Sequence, residues 1–158
     1  MKKQNYHCSI TANVSVKEAI ENINHVSAWW TENFEGHSEK LNDIFTVRFG
    51  ETFVTFKVIE VIAGKKIVWQ VTDCYLHWLK DKKEWNDTKL LWEISTVNNL
   101  TQINFTHIGL APEIECYDNC VKGWDQYVKG SLLKLITEGK GLPERKRSSE
   151  VLSNVSSQ

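Results

Sequence analysis

Five β-type segments separated by short polar turns fill residues 44–108, and they constrain the fold more than any other feature of the chain. The segments are IFTVRFG, TFVTFKVIEVI, KKIVWQVTDC, TKLLWEIST and LTQINFTHIG. They are rich in valine, isoleucine, threonine and aromatic residues, which favour extended strands. Apolar side chains alternate onto one face at Leu90, Trp92 and Ile94, and at Ile103, Phe105 and His107. The opposite faces are largely polar, so the pattern predicts an antiparallel sheet with one buried face.

Short helices are predicted between an N-terminal strand and this block. Residues 5–12 have the pattern of a strand. Ser15, with Glu18 three residues later, forms the capping-box signature of a helix of about ten residues. The stretch HVSAWWTENFEG then predicts a short second helix that ends at Gly36.

A long amphipathic helix is predicted near the C-terminus. Pro112 suits its first turn, where the missing N–H is not needed. Apolar side chains recur at helical spacing over residues 117–135. Gly139, Gly141 and Pro143 end the helix.

The whole layout is α+β, within a single domain over residues 1–143. A curved antiparallel sheet is expected to have its apolar face covered by the long final helix. Residues 144–158 are polar and aperiodic, which predicts a disordered tail.

Composition excludes several functional classes. The net charge of −1 offers no basic field to nucleic acid or to an anionic membrane. No segment approaches the roughly 20 apolar residues of a membrane helix, and the first residues lack the apolar run of a signal peptide. We therefore expect a cytoplasmic protein whose four cysteines are reduced thiols, at Cys8, Cys74, Cys116 and Cys120.

Motifs of common enzyme classes are missing from the sequence. It has no glycine-rich phosphate loop, no G-x-S-x-G, no H-E-x-x-H and no paired-carboxylate motif. Cys116 and Cys120 have i, i+4 spacing, but no full ligand set accompanies them, so packing is favoured over a metal site. The charge run KDKK, residues 80–83, predicts a solvated loop, with docking to an acidic partner as the alternative. We expect neither a metal nor a cofactor.

Four stretches resemble motifs of the START-like (SRPBCC) helix-grip proteins: SAWWTENFEG, KKIVWQV, TQINFTHIGL and CVKGWDQYVKGSLLKLITEGKGLP. The resemblance is greatest to the family related to the C-terminal domain of the activator of the 90-kDa heat-shock chaperone ATPase. The last stretch carries the G-W, S-L and G-x-G-x-P elements of that family's ending. Lys66 stands where the family often has arginine, and the connection LHWLKDKKEWND fits the family pattern less well.

This resemblance implies a deep cavity between the sheet and the final helix. Members bind lipids, sterols, polyketides or other apolar molecules there, and a minority catalyse reactions. The seven tryptophans suit such a pocket, so we predict binding of a hydrophobic or aromatic small molecule. The predicted lining consists of Trp30, Phe34, Trp69, Trp92, Phe105, His107, Cys120, Trp124 and Tyr127.

Two other functions stay as alternatives. One is a regulator of the heat-shock chaperone that acts through its surface, and the other is a cyclase- or hydrolase-type enzyme with His107 as acid or base. His107 has three interpretations: a buried histidine bonded to backbone, a polar anchor for a ligand, or a titrating base. Catalysis is the least favoured, so no catalytic residue is assigned. The chain is expected to be a monomer or a weak homodimer that pairs through an exposed strand edge or a tryptophan-bearing loop.

Gly123 and Gly130 interrupt the final predicted helix, where each costs about 1 kcal/mol relative to alanine. At roughly 100° per residue they fall together beside the apolar stripe, on the side of Tyr127. The arrangement predicts a bare flank that another backbone or a bound molecule approaches closely. Close packing of helix on sheet and a cavity rim are the two interpretations.

Overall fold

A seven-stranded antiparallel sheet forms the centre of the protein. The computed structural model describes residues 6–77, 79–80, 82–109 and 117–143. The strands are β1 (Tyr6–Ala12), β2 (Phe34–Gly36), β3 (Ile44–Phe49), β4 (Thr52–Ile62), β5 (Lys66–Tyr75), β6 (Lys89–Val97) and β7 (Leu100–Ile108). Their order in the sheet is β1-β7-β6-β5-β4-β3-β2, so the first strand pairs with the last.

One face of the sheet supplies most of the core. Buried and more exposed positions alternate along β1, β6 and β7. The two alternating sets of the sequence are confirmed, because all of their side chains are buried: Leu90, Trp92, Ile94, Ile103, Phe105 and His107. A single buried face is what a sheet covered by helices on one side requires.

Two irregularities bend the sheet between β4 and β5. The pairing shifts once between Thr55 and Phe56 and again between Val58 and Glu60. A β-bulge inserts an unpaired residue, which bends the strand and increases its twist. The sheet therefore curves towards the helices, as the sequence predicts.

The two short helices after β1 are α1 (Val16–Asn24) and α2 (Val26–Trp29). The predicted capping box is confirmed: the Glu18 N–H donates to Ser15 Oγ at 3.0 Å, and the Ser15 N–H donates to Glu18 Oε1 at 3.1 Å. The predicted length of the second helix is wrong. Phe34–Gly36 instead pairs with β3 as a strand, because long-range backbone bonds override the local helical pattern.

The C-terminal helix changes its winding along its length. An α-helix, α3 (Tyr117–Trp124), is followed by a π-helical segment, π1 (Asp125–Leu132), and then by α4 (Leu133–Glu138). Bonds in a π-helix join residues i and i+5, so each residue turns through less than the angle assumed from the sequence. Gly139 ends α4 with a left-handed φ of 82°, as predicted for the residue after a helix.

A buried serine fastens the segment that follows the helix. Ser131 Oγ donates to the Trp29 carbonyl at 2.7 Å and accepts the Leu142 N–H at 2.7 Å. A Cβ at Gly141 would lie 2.5 Å from the Ala28 carbonyl oxygen, so the close approach requires glycine.

The connection between β5 and β6 folds back on itself. The Leu76 N–H donates to the Lys82 carbonyl at 2.8 Å, and Lys82 Nζ donates to the carbonyls of His77 at 2.8 Å and Leu79 at 2.6 Å. Leu76, Leu79 and Trp85 are buried. Lys82 adds to the predicted solvated charge run a structural role, because its partly buried ammonium donates to two backbone carbonyls.

Some sequence predictions concern residues outside the described ranges. They include the first turn at Pro112 and the tail at 144–158, so the domain limits stay a prediction. None of the helices in the described ranges is long and apolar enough to cross a membrane.

Candidate functional site

A cavity of about 160 Å³ lies between the C-terminal helix and one end of the sheet. It is bounded by the strands β3 and β4, the residue after α2, the connection after β5, and the segments α3 and π1. Every described lining side chain is uncharged. The lining consists of Trp30, Phe49, Thr52, Val54, Leu76, Trp85, Cys120, Gly123, Trp124 and Tyr127.

Five aromatic rings, which we call the aromatic arc, contact one another in sequence around this cavity. Ring centroids are 5.8 Å apart for Trp85 and Trp124, and 5.0 Å apart for Trp124 and Trp30. They are 5.9 Å apart for Trp30 and Phe49, and 6.1 Å apart for Phe49 and Tyr127. Trp85 and Trp124 stack with an interplanar angle of 16°. Rings at these separations attract one another, so the arc holds its own shape.

A chain of three hydrogen bonds, which we call the relay, connects the arc to the sheet. Trp124 Nε1–H donates to His107 Nδ1 at 3.1 Å, and His107 Nε2 lies 3.0 Å from Thr88 Oγ1. Thr88 Oγ1–H donates to the Trp85 carbonyl at 2.7 Å. An indole N–H can only donate, so His107 Nδ1 is an acceptor and the neutral ring carries its proton on Nε2. All three bonds therefore run in one direction, from Trp124 to Trp85.

Burial keeps His107 neutral. The side chain is fully buried, and its removal from water lowers its pKa to about 3. Trp124 and Thr88 occupy its two ring nitrogens, and the ring does not line the cavity. The interpretation of His107 as a buried histidine is supported, but its hydrogen bonds go to side chains and not to the backbone. The geometry therefore makes His107 a support for the cavity wall and disfavours its use as acid or base.

Gly123 and Gly130 have different surroundings. Gly123 lines the cavity, and a Cβ added there meets nothing within 4 Å. Gly130 is exposed, and the nearest atom to an added Cβ is the Asp125 carbonyl oxygen at 3.8 Å. Close packing against the sheet is therefore the wrong interpretation for both glycines. The cavity rim describes Gly123 alone.

Four residues of the predicted lining lie on the cavity wall: Trp30, Cys120, Trp124 and Tyr127. They come from the residue after α2 and from one side of α3 and π1. Cys120, Trp124 and Tyr127 share one side of the helix because they are spaced four and three residues apart. Trp30 is buried and lies between Phe49 and Trp124 in the arc.

The remaining predicted residues do not line the cavity. Trp69, Trp92 and Phe105 are fully buried in the core, with ring centroids 5.4 Å apart for Trp69 and Trp92 and 4.5 Å apart for Trp92 and Phe105. Phe34 packs against Phe45 at 5.6 Å. The deep cavity that the resemblance implied is thus filled over much of its length by side chains.

Sequence reasoning missed five lining residues: Phe49, Thr52, Val54, Leu76 and Trp85. Alternation on β3 and β4 could have found three of them, because Phe49 lies in phase with Phe45, and Thr52 and Val54 with Phe56. Trp85 gave no such signal, since it stands in a charged connection without periodicity.

The three described cysteines are not all in the same oxidation state. Cys120 is disulfide-bonded, whereas Cys8 and Cys74 are free, so the expectation of four reduced thiols is wrong. Cys116 lies outside the described residues. Within the part of the chain that the structure describes, no three histidine, cysteine, aspartate or glutamate side chains form a metal-binding group.

A separate polar contact joins β1 to the C-terminal helix. The Tyr6 hydroxyl donates to Asp125 Oδ1 at 2.5 Å. Burial raises the pKa of Tyr6 far above its usual value, and the bond to Asp125 raises it further. This contact holds Asp125, the first residue of π1, against β1. Neither Tyr6 nor Asp125 lines the cavity.

The same fold occurs in solved structures of other proteins. The Aha1 dimer from Colwellia psychrerythraea is similar over 87% of this chain and 98% of that chain, with a TM-score of 0.71 and 23% identity. Protein MLL2253 from Mesorhizobium loti is similar over 87% and 100%, with a TM-score of 0.65 and 11% identity. CalU16 from Micromonospora echinospora is similar over 85% and 76%, with a TM-score of 0.60 and 11% identity. No protein-family model matches the chain, and no curated protein does either.

The chain therefore has the START-like helix-grip fold, with a curved antiparallel sheet wrapped around a C-terminal helix. The resemblance found in the sequence is confirmed at the level of the fold, including its Aha1-like form. One fold carries many functions, so function is inferred from the cavity and not from the fold.

Proposed function

We propose that the domain binds a small, uncharged apolar or aromatic molecule in the cavity beneath the C-terminal helix. The lining carries this proposal, because five rings border about 160 Å³ of empty space and no described charged side chain reaches it. Removal of apolar ligand surface from water contributes about 25 cal/mol per Å². Each favourable contact between aromatic rings adds about 0.5–1.5 kcal/mol.

The size of the cavity limits its ligand. An apolar protein cavity of about 150 Å³ stays dry and binds benzene, and the cavity here has about 160 Å³. Pockets for drug-sized ligands have about 300–1,000 Å³. We infer a ligand, or a ligand portion, of one or two aromatic rings.

Titration with toluene tests the proposal, with tryptophan emission and heat of binding as the two measurements. Gly123→Leu places a side chain in the cavity at a position where an added Cβ meets no atom. Gly130→Leu is the matched control, because it makes the same change in the same helix outside the cavity. We expect saturable binding by the unchanged protein and by Gly130→Leu. Gly123→Leu is expected to bind at least about tenfold more weakly, which corresponds to about 1.4 kcal/mol.

Two outcomes count against this function. Absence of saturable binding up to the solubility of toluene contradicts a ligand site of this chemistry. Equal affinities of the Gly123→Leu and Gly130→Leu proteins would place any binding elsewhere on the molecule.

Regulation of the 90-kDa heat-shock chaperone ATPase is the second candidate, and the similarity to Aha1 favours it. A pull-down with the chaperone and a measurement of its ATPase rate test this function, and an unchanged rate removes it. We also propose a weak homodimer, since the similar Aha1 structure is that of a dimer. Sedimentation that stays monomeric at rising concentration contradicts it. A cytoplasmic location and lipid binding stay predictions.

A further inference from the structure

The Thr52 hydroxyl on the cavity wall has a proton for which the described part of the chain provides no acceptor. Thr52 lines the cavity and is 7% exposed. Its Oγ1 accepts the backbone N–H of His77 at 3.1 Å, which fixes the position of the oxygen. None of the residues that the structure describes accepts the Thr52 proton.

Two other polar groups beside the cavity are already engaged. The Trp124 N–H donates to His107, and the sulfur of Cys120 is in a disulfide. A buried hydroxyl whose proton has no acceptor is unfavourable. A ligand that brings an acceptor to Thr52 removes this penalty, whereas a hydrocarbon of the same shape leaves it in place.

We propose that Thr52 selects ligands in which a neutral hydrogen-bond acceptor, such as a ketone, ether or phenol oxygen, is attached to an aromatic ring. This inference rests on the proposed function, because it concerns the same cavity. The ring packs against the aromatic arc, and the acceptor oxygen receives the Thr52 proton. The acceptor is neutral because none of the described lining side chains is a cation that could compensate a carboxylate or a phosphate.

An isosteric pair of probes separates the hydrogen bond from the fit of the ring. Acetophenone carries a carbonyl oxygen, and α-methylstyrene carries a methylene group at the same position. Their dissociation constants are measured by calorimetry for the unchanged protein, Thr52→Val and Thr52→Ser. Valine keeps the shape of threonine but removes both the donor and the acceptor of the His77 N–H, whereas serine keeps both. Loss of the His77 bond is common to both probes, so the comparison of the two probes isolates the donated proton. The ratio of the two constants is taken within each protein and then compared between proteins, so that the different hydrophobicity of the probes cancels.

We expect Thr52→Val to lower the preference for acetophenone about fivefold relative to the unchanged protein, which is the usual effect of one net hydrogen bond. Thr52→Ser is expected to keep the original preference. The same ratio in all three proteins overturns this inference. If Gly123→Leu nevertheless weakens both probes, the proposed function stands without it. Failure of both probes to bind the unchanged protein overturns the proposed function and this inference together.

Discussion

The packed core and the cavity end of this domain use the same kind of side chain in different surroundings. In the core, Trp69 and Trp92 are fully buried, and their indole N–H groups find no acceptor among the described residues. At the cavity end, the Trp124 N–H is bonded to His107, whose ring is bonded in turn to Thr88. Trp69 and Trp92 therefore act through their volume, whereas Trp124 is also held in a fixed orientation. The buried Trp29 resembles Trp124 in this respect, because its Nε1–H donates to the Ile23 carbonyl at 3.0 Å.

The two regions thus differ in whether the indole N–H groups of these tryptophans are hydrogen-bonded. An unbonded indole N–H in a core costs stability, and the core accepts that cost at two positions to fill its space. The cavity wall has less packing around it, since empty volume lies on one side. At Trp124, the hydrogen bond to His107 supplies an attachment that packing on the empty side does not.

The largest expected effect is the loss of a core ring. Trp92→Ala removes a fully buried side chain and leaves a void, so it is expected to lower the free energy of unfolding by about 3–5 kcal/mol. Phe49→Ala removes a partly buried ring that already borders empty space, and its expected cost is about 1–2 kcal/mol. Denaturant unfolding measures both. Equal costs would mean that the core and the cavity wall are packed alike.

The second effect concerns pH, because His107 lies between the two regions. Its pKa is about 3 in the folded protein and about 6.5 in the unfolded chain, so the unfolded chain binds more protons between these values. Stability is therefore complete above about pH 6.5 and falls as the pH drops towards 3, by up to about 1.4 kcal/mol per pH unit.

His107→Asn tests this dependence, since asparagine keeps an acceptor for Trp124 and does not titrate. Unfolding free energies measured from pH 7 to pH 4 are expected to fall less steeply in this variant than in the unchanged protein. Parallel curves for the two proteins would show that His107 is accessible to protons in the folded state.

The smallest expected effect is a gain. Gly123→Ala adds a methyl group where an added Cβ meets no atom, and alanine favours the helix, so stability is expected to rise by up to about 1 kcal/mol. Gly130→Ala, at an exposed site of the same helix, is the control and is expected to gain a similar amount. Thermal unfolding measures both. A loss of stability in Gly123→Ala alone would mean that other side chains occupy the space beside Gly123.

Local patterns in the sequence predicted much of the fold. The capping box at Ser15 set the start of α1, and alternation set the buried faces of β6 and β7. The second helix was predicted too long because Phe34–Gly36 is held by its pairing with β3, which no neighbouring residue indicates. The π-helical winding was also missed, since periodicity was measured against an α-helix.

The cavity itself could be predicted only in part. Helical spacing placed Trp124 and Tyr127 on its wall, because both residues lie on one element. The empty volume depends on how side chains from distant elements fit together, and no local pattern contains that information. Trp69 and Trp92 are tryptophans like Trp124, yet they fill the core and do not line the cavity.

The relay and the stacked rings form a closed circuit. Hydrogen bonds connect the Trp124 indole through His107 and Thr88 to the backbone carbonyl of Trp85. The stacking contact between the indoles of Trp85 and Trp124 completes the ring of contacts. Neither indole can move without breaking a link, so this side of the wall has its shape before any guest arrives. Preorganisation of this kind spares the protein an entropy cost on binding. The domain is thus expected to discriminate among guests by fixed shape, with little adaptation of its own.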